Sequence, residues 1–176
     1  MKKVGLLLVI LSLVSFIFAG DLFLGVGADL YGVTVSLDDF ELDELEVDFE
    51  DFSGASVFAQ VDLSIFTAQF LLGRYDNSTG EFYQYANPKA ALGINLKLPI
   101  WIFYLRGQVV SPLSMLENLA KGFINYTDLY LITRLGVGAR LSNFFAEVGM
   151  SAGSYVAYLN TFNPFDVPYV LIGVAF

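Results

Sequence analysis

Seven ionisable residues stand singly among apolar and small neighbours: Asp29, Asp62, Lys97, Arg106, Arg134, Arg140 and Glu147. Two carboxylates such as Asp62 and Glu147 are the equipment of general acid–base chemistry when their environments differ. Four cations against three anions can instead neutralise one another in a buried place. A second, denser group lies in "LDDFELDELEVDFEDF", residues 37–52, which holds Asp38, Asp39, Glu41, Asp43, Glu44, Glu46, Asp48, Glu50 and Asp51 out of 18 acidic residues in all. These are oxygen ligands of the kind calcium takes, but the Asp-x-Asp-x-Asp-Gly loop is missing. The chain has no His and no Cys. That removes the usual general base near neutral pH, the serine–histidine pair, thiolate nucleophiles and His/Cys zinc ligation. "GVGADLYG", residues 25–32, lacks the Lys-Ser/Thr ending of a phosphate loop. The expectation is a protein that is not an enzyme, with no catalytic residue, cofactor or metal.

What holds these charges must come from the rest of the chain. "MKKVGLLLVILSLVSFIFAG" places Lys2 and Lys3 before an apolar run from Val4 to Phe18, then Ala19 and Gly20. This is the pattern of a cleaved secretory signal peptide, residues 1–19, with the domain over 20–176. An apolar run of about 15 residues makes roughly 22 Å of helix, short of a hydrocarbon core of about 30 Å. Without Lys2 and Lys3 the 9 basic residues fall to 7, against 18 acidic ones. Such a chain repels nucleic acid. Hydrophobic residues make up 56% and aromatics 16%, yet no later run has the length of a spanning helix. Either the core is unusually large and dry, or strands show apolar side chains to lipid.

The residues after the signal keep a period of two, the mark of strands. Eight segments carry it: Asp21–Val35, Ala55–Ser64, Thr67–Tyr75, Lys89–Leu98, Trp101–Val110, Leu129–Leu141, Phe144–Tyr155 and the C-terminal "PYVLIGVAF" of 168–176. One face of each is apolar, and the other carries Gly, polar residues and all seven single charges. Thr133, on an apolar face, is the main exception. Connections alternate in length. Ile65-Phe66, the region of Pro99, and Ser142-Asn143 are short; residues 36–54, 76–88, 111–128 and 156–166 are long. With two-residue turns, Asp62 faces Gln69, Lys97 faces Ile102 and Arg140 faces Phe145, and like faces meet. Glu147 then stands diagonal to Arg140 across one hairpin. Inward glycines make room for large side chains in a narrow lumen.

The C-terminal "YVLIGVAF", with Val170, Ile172, Val174 and Phe176 at alternate places, together with the leader and the eight segments, resembles the small eight-stranded bacterial outer-membrane barrels of the OmpA-like and OmpX-like kind. The resemblance implies an all-β, antiparallel, up-and-down transmembrane barrel in the cell envelope. It implies outer-membrane lipid as surroundings, and a barrel-assembly machinery that reads the four alternate residues as its signal. Such a sheet closes on itself because lipid offers no partner to an open edge. Phe176 then belongs to an aromatic girdle with Trp101 and Phe144. Tyr31, Tyr75, Tyr83, Tyr85, Tyr126, Tyr130 and Tyr155 fall near the opposite rim.

Within that architecture the seven charges plug the lumen as ion pairs. A narrow passive, porin-like channel is the alternative. A periplasmic lipocalin-like barrel around an apolar ligand is a third reading, which would bury the Leu/Val/Ile face instead. Residues 37–52 read as an extension of the first two strands into a protruding hairpin turning near Asp43-Glu44, with a bulge at Asp38-Asp39; its charge either keeps an exposed edge from aggregating, as a solvated protrusion, or leaves that edge open to a protein partner. The segment 111–123 has helical spacing from Ser111-Pro112, with Gly122 as its stop. The expected role is structural, or adhesive at the surface.

Overall fold

Alternating side chains on both sides of short turns leave each segment one option, antiparallel pairing with its neighbour. The computed structural model describes residues 22–37, 45–157 and 166–176. The elements are β1 (Leu22–Tyr31), β2 (Thr34–Leu37), β3 (Leu45–Asp48), β4 (Gly54–Leu63), β5 (Phe66–Asp76), β6 (Glu81–Ile100), β7 (Phe103–Pro112), α1 (Leu113–Ala120), β8 (Tyr130–Leu141), β9 (Phe144–Tyr155) and β10 (Val167–Ala175). The 1–19 leader lies outside the described residues. Eight strands close into an antiparallel barrel in the order β1-β10-β9-β8-β7-β6-β5-β4, and β2-β3 form a separate two-stranded sheet.

The last strand pairs with the first from Phe23↔Ala175 to Asp29↔Tyr169. The seam is locked at its end, where the Leu22 and Phe176 N–H groups each donate to the other's carbonyl, at 3.1 and 2.9 Å. Partners followed once round the wall run Ile102, Arg140, Phe145, Gly173, Gly25, Gln60, Gln69, Ala91 and Pro112, so the path returns to β7 ten residues further on. That stagger over eight strands tilts them by about 40°. Ten residues at about 3.3 Å each then make a wall about 25 Å tall.

Sidedness follows the alternation. Leu24, Val26, Ile94, Leu96, Leu105, Leu135, Val137, Val148 and Ile172 are exposed on the outside. Phe23, Phe58, Tyr104, Phe145, Tyr169 and Leu171 are buried in the lumen as its apolar core. Thr133 is accommodated because its hydroxyl donates to the Ala152 carbonyl at 3.4 Å. At the end of the short turns, Leu63, Phe66, Trp101, Leu141, Phe144 and Phe176 are all exposed.

Two turns differ from the expectation. They are Ser64-Ile65 and Trp101-Ile102 rather than Ile65-Phe66 and Pro99; Ser142-Asn143 is as expected. Ser64, Trp101 and Ser142 each take a positive φ of 57–58°, as the first central residue of a II′ hairpin turn does. The registers shift by even steps, so Asp62 faces Thr67 and Lys97 faces Arg106, while Arg140 faces Phe145 as expected. Even shifts leave every side chain on its expected face. Pro99 stays in β6 because β5 has already ended beside it. The Asn95 N–H donates to Ile65 on that side, and the N–H that proline lacks would point the same way, where no β5 residue remains.

The long connections are more ordered than expected. Residues 76–88 are mostly strand, with a four-residue turn over 77–80 and a bulge that takes up Pro88. In that turn the Ser78 N–H and hydroxyl donate to the Asp76 carboxylate and hold it below the ordinary carboxylate range. The helix α1 stops as a Schellman motif. Phe123 N–H donates to Asn118 O, Gly122 N–H to Leu119 O, and Gly122 has φ 72°. The acidic hairpin is not a continuation of the wall strands, since Gly32-Val33 and residues 49–53 break the pairing. β2–β3 pairing runs from Thr34↔Asp48 to Leu37↔Leu45. The turn at Asp43-Glu44 and the bulge at Asp38-Asp39 lie outside the described residues.

Candidate functional site: the ionic network of the lumen

Each inward strand position delivers one polar side chain to a common interior. β4 supplies Gln60 and Asp62, β5 Thr67 and Gln69, β7 Arg106 and Gln108, β8 Arg134, β9 Glu147 and Ser151, and β1 Asp29; all are buried. Arg106 is the centre. One terminal nitrogen bonds Asp62 at 2.7 Å and the other meets Glu147 at 3.2 Å. Asp62 also accepts from Lys97 at 2.8 Å, Thr67 at 2.7 Å and Gln60 at 2.9 Å. Glu147 also accepts from the hydroxyls of Tyr104 at 2.9 Å and Tyr169 at 2.6 Å.

A chain of side-chain amides links this centre to a second ion pair. Gln69 donates to Gln60 at 2.6 Å, and Arg134 donates to Gln69 at 2.6 Å. Arg134 grips Asp29 through Nε and a terminal nitrogen, at 3.3 and 2.7 Å, and Ser151 donates to the same carboxylate at 3.2 Å. The aromatic side of the lumen backs the cations: the Arg134 guanidinium lies 4.4 Å from the Phe58 ring centre, and the Lys97 ammonium 3.3 Å from that of Phe23.

Of the seven charges expected inside, Asp29, Asp62, Arg106, Arg134 and Glu147 are buried and Lys97 and Arg140 half-buried. The ion pair of Glu147 is with Arg106 on β7 rather than with Arg140. Arg140 Nε donates to the Ser142 carbonyl at 3.1 Å, and its guanidinium lies 5.7 Å from the Phe23 ring centre. Asp62 and Glu147, expected on distant strands, both clamp one guanidinium. Each carboxylate is taken up by several donors. Tyr169, Gln60, Gln69, Gln108 and Ser151 enter the network although only the charges signalled it; their inward phase was the available cue.

The inward glycines are the counterpart of the bulky partners. A Cβ at Gly136 would meet the Tyr169 hydroxyl, and one at Gly138 the Tyr104 ring. Gly136→Ala is therefore expected to displace Tyr169 from Glu147 and lower unfolding free energy by about 1–3 kcal/mol. A urea titration of the folded barrel checks this; an unchanged midpoint would show that Tyr169 has room to move.

Among the acidic-segment residues, Glu46, Asp48, Glu50 and Asp51 are exposed, and the Glu50 N–H donates to Asp48 at 2.8 Å. Asp38, Asp39, Glu41, Asp43 and Glu44 lie outside the described residues. No group of three metal-ligating side chains comes together among the described residues. Val170 and Ile172 on β10, and Phe176 just past its end, are exposed, and Val174 is half-buried. Comparison with known proteins brings no relative to set beside this geometry: no family model, no curated protein and no solved structure matches the chain.

Proposed function

We propose that this is an outer-membrane β-barrel protein of the bacterial envelope, with a structural or surface-interaction role and a lumen closed by its own side chains. The observation that carries this reading is the inversion of sides: Leu135, Val137 and Val148 face outward while Arg134 and Glu147 are buried. A water-soluble barrel gains nothing from exposing that much aliphatic surface. A lipid-facing one needs it, and a wall about 25 Å tall suits the hydrocarbon band of such barrels. The same inversion speaks against the lipocalin-like reading, whose ligand would be lined by those aliphatic residues. The leader over 1–19 and the alternate residues Val170, Ile172, Val174 and Phe176 fit export followed by machinery-assisted insertion.

Fractionation of expressing cells is the test. The chain is expected in the membrane pellet and released only by detergent; recovery in the soluble periplasmic extract would end this reading. Closure of the lumen predicts no steady conductance in planar bilayers, and a stable single-channel current would favour the porin-like alternative. The adhesive half of the proposal rests on the exposed acidic hairpin, where Val47 and Phe49 are also exposed. Deleting residues 38–51 is expected to abolish binding of cells to a host or matrix surface without disturbing barrel assembly. Unchanged binding with an intact barrel would leave the structural role alone.

A further inference from the structure

Four buried polar atoms have no hydrogen-bond partner among the described residues: Ser64 Oγ, Asn95 Oδ1, Arg106 Nε and Gln108 Oε1. They are not scattered. Asn95 and Gln108 are register partners across β6–β7. Arg106 precedes Gln108 by two residues on the same inward face. Ser64 sits in the turn whose Ile65 carbonyl accepts the Asn95 N–H at 2.8 Å. All four therefore belong to one side of the lumen, in a line from the short-turn end toward mid-height.

The rest of each side chain is already committed. Asn95 Nδ2 donates to the Phe66 carbonyl at 3.1 Å, and Gln108 Nε2 to Thr67 at 3.1 Å. The terminal nitrogens of Arg106 hold Asp62 and Glu147. Rotating any of them to find a new partner would break a bond it has. Buried polar groups are rarely left dry, and ordered water is the usual partner when protein supplies none.

We propose that this side of the lumen binds ordered water, with one molecule shared by Asn95 Oδ1, Arg106 Nε and Gln108 Oε1. The donor–acceptor balance selects the ligand. Two carbonyl oxygens need donors and one guanidinium N–H needs an acceptor. A water molecule gives two O–H groups and accepts a third bond, the usual complement for a buried water. A metal cation cannot accept from Arg106 and is repelled by it and by Lys97. A simple anion cannot donate to the two amide oxygens. None of this depends on the barrel's surroundings.

Two measurements on the full folded barrel in micelles test it. Oxygen-17 relaxation dispersion of the solvent is expected to show long-lived internal water, reduced by at least one molecule in the double variant Asn95→Leu/Gln108→Met. Cross-relaxation from water to the side-chain amide protons of Asn95 and Gln108 is expected in the wild type. The wild-type spectrum decides even where the variant does not fold. No long-lived water, no transfer to either amide, or an undiminished dispersion in a folded variant would each overturn the proposal.

Discussion

Arg106→Met is expected to lower the unfolding free energy of the barrel by about 3–5 kcal/mol, the usual result of removing one partner from a buried ionic cluster. The guanidinium is the contact that Asp62 and Glu147 share, and its side chain is fully buried. Without it, Asp62 keeps Lys97, but Glu147 is left with two neutral tyrosine hydroxyls. The cost comes from carboxylate charge stranded away from water, not from the lost attraction alone. A triple variant, Arg106→Met with Asp62→Leu and Glu147→Met, is therefore expected to recover most of the loss, because an apolar set of similar volume needs no pairing. Urea titration followed by the β-sheet circular dichroism signal reads both. A single variant that loses less than about 1 kcal/mol would mean that solvent reaches the cluster and screens it.

Val148→Arg tests the other face. Val148 is exposed on the outer wall and lies between Val137 and Val170 in the registers of β9 with β8 and β10. In a bilayer an arginine at mid-wall is expected to lower stability by about 2–4 kcal/mol. On a water-facing sheet the same change stays within about 0.5 kcal/mol. Asp48→Lys on the exposed β3 is the control and is expected to do nothing measurable to folding. If Val148→Arg in lipid vesicles behaves like that control, the outer wall does not face acyl chains.

The strands were legible wherever the period of two met a polar stop. β9 runs over Phe144–Tyr155 as its alternation predicts, because Ser142-Asn143 and Tyr155 bracket it. The turns at Pro99 and at Ile65-Phe66 were misplaced for a physical reason. Proline is the strongest local turn signal, but a strand tolerates it where the neighbouring strand has ended, and that depends on stagger, not on composition. Residues 76–88 mix turn residues with Phe82, Tyr83 and Tyr85, and the bulge beside Pro88 hides the strand by shifting its phase. The membership of the lumen followed from phase, but its pairing did not. Glu147 finds Arg106 two strands away because tilt and stagger decide which inward side chains share a level. Hairpin neighbours such as Arg140 are all that a local reading can offer.

The joint between β1 and β10 sets a constraint on how the molecule is made. Every other wall contact joins strands that follow one another in the chain, or that are separated only by the acidic hairpin, as β1 and β4 are. These can zip up progressively from their turns. The Leu22–Phe176 contact brings together the two most distant described residues, and its loop-closure entropy is met last. Until that moment the half-built ribbon carries two raw borders, each able to capture another ribbon. Docking of those borders is then the step that loop closure taxes most, and variants along this suture are expected to alter the yield of correctly made protein more than the durability of what has been made.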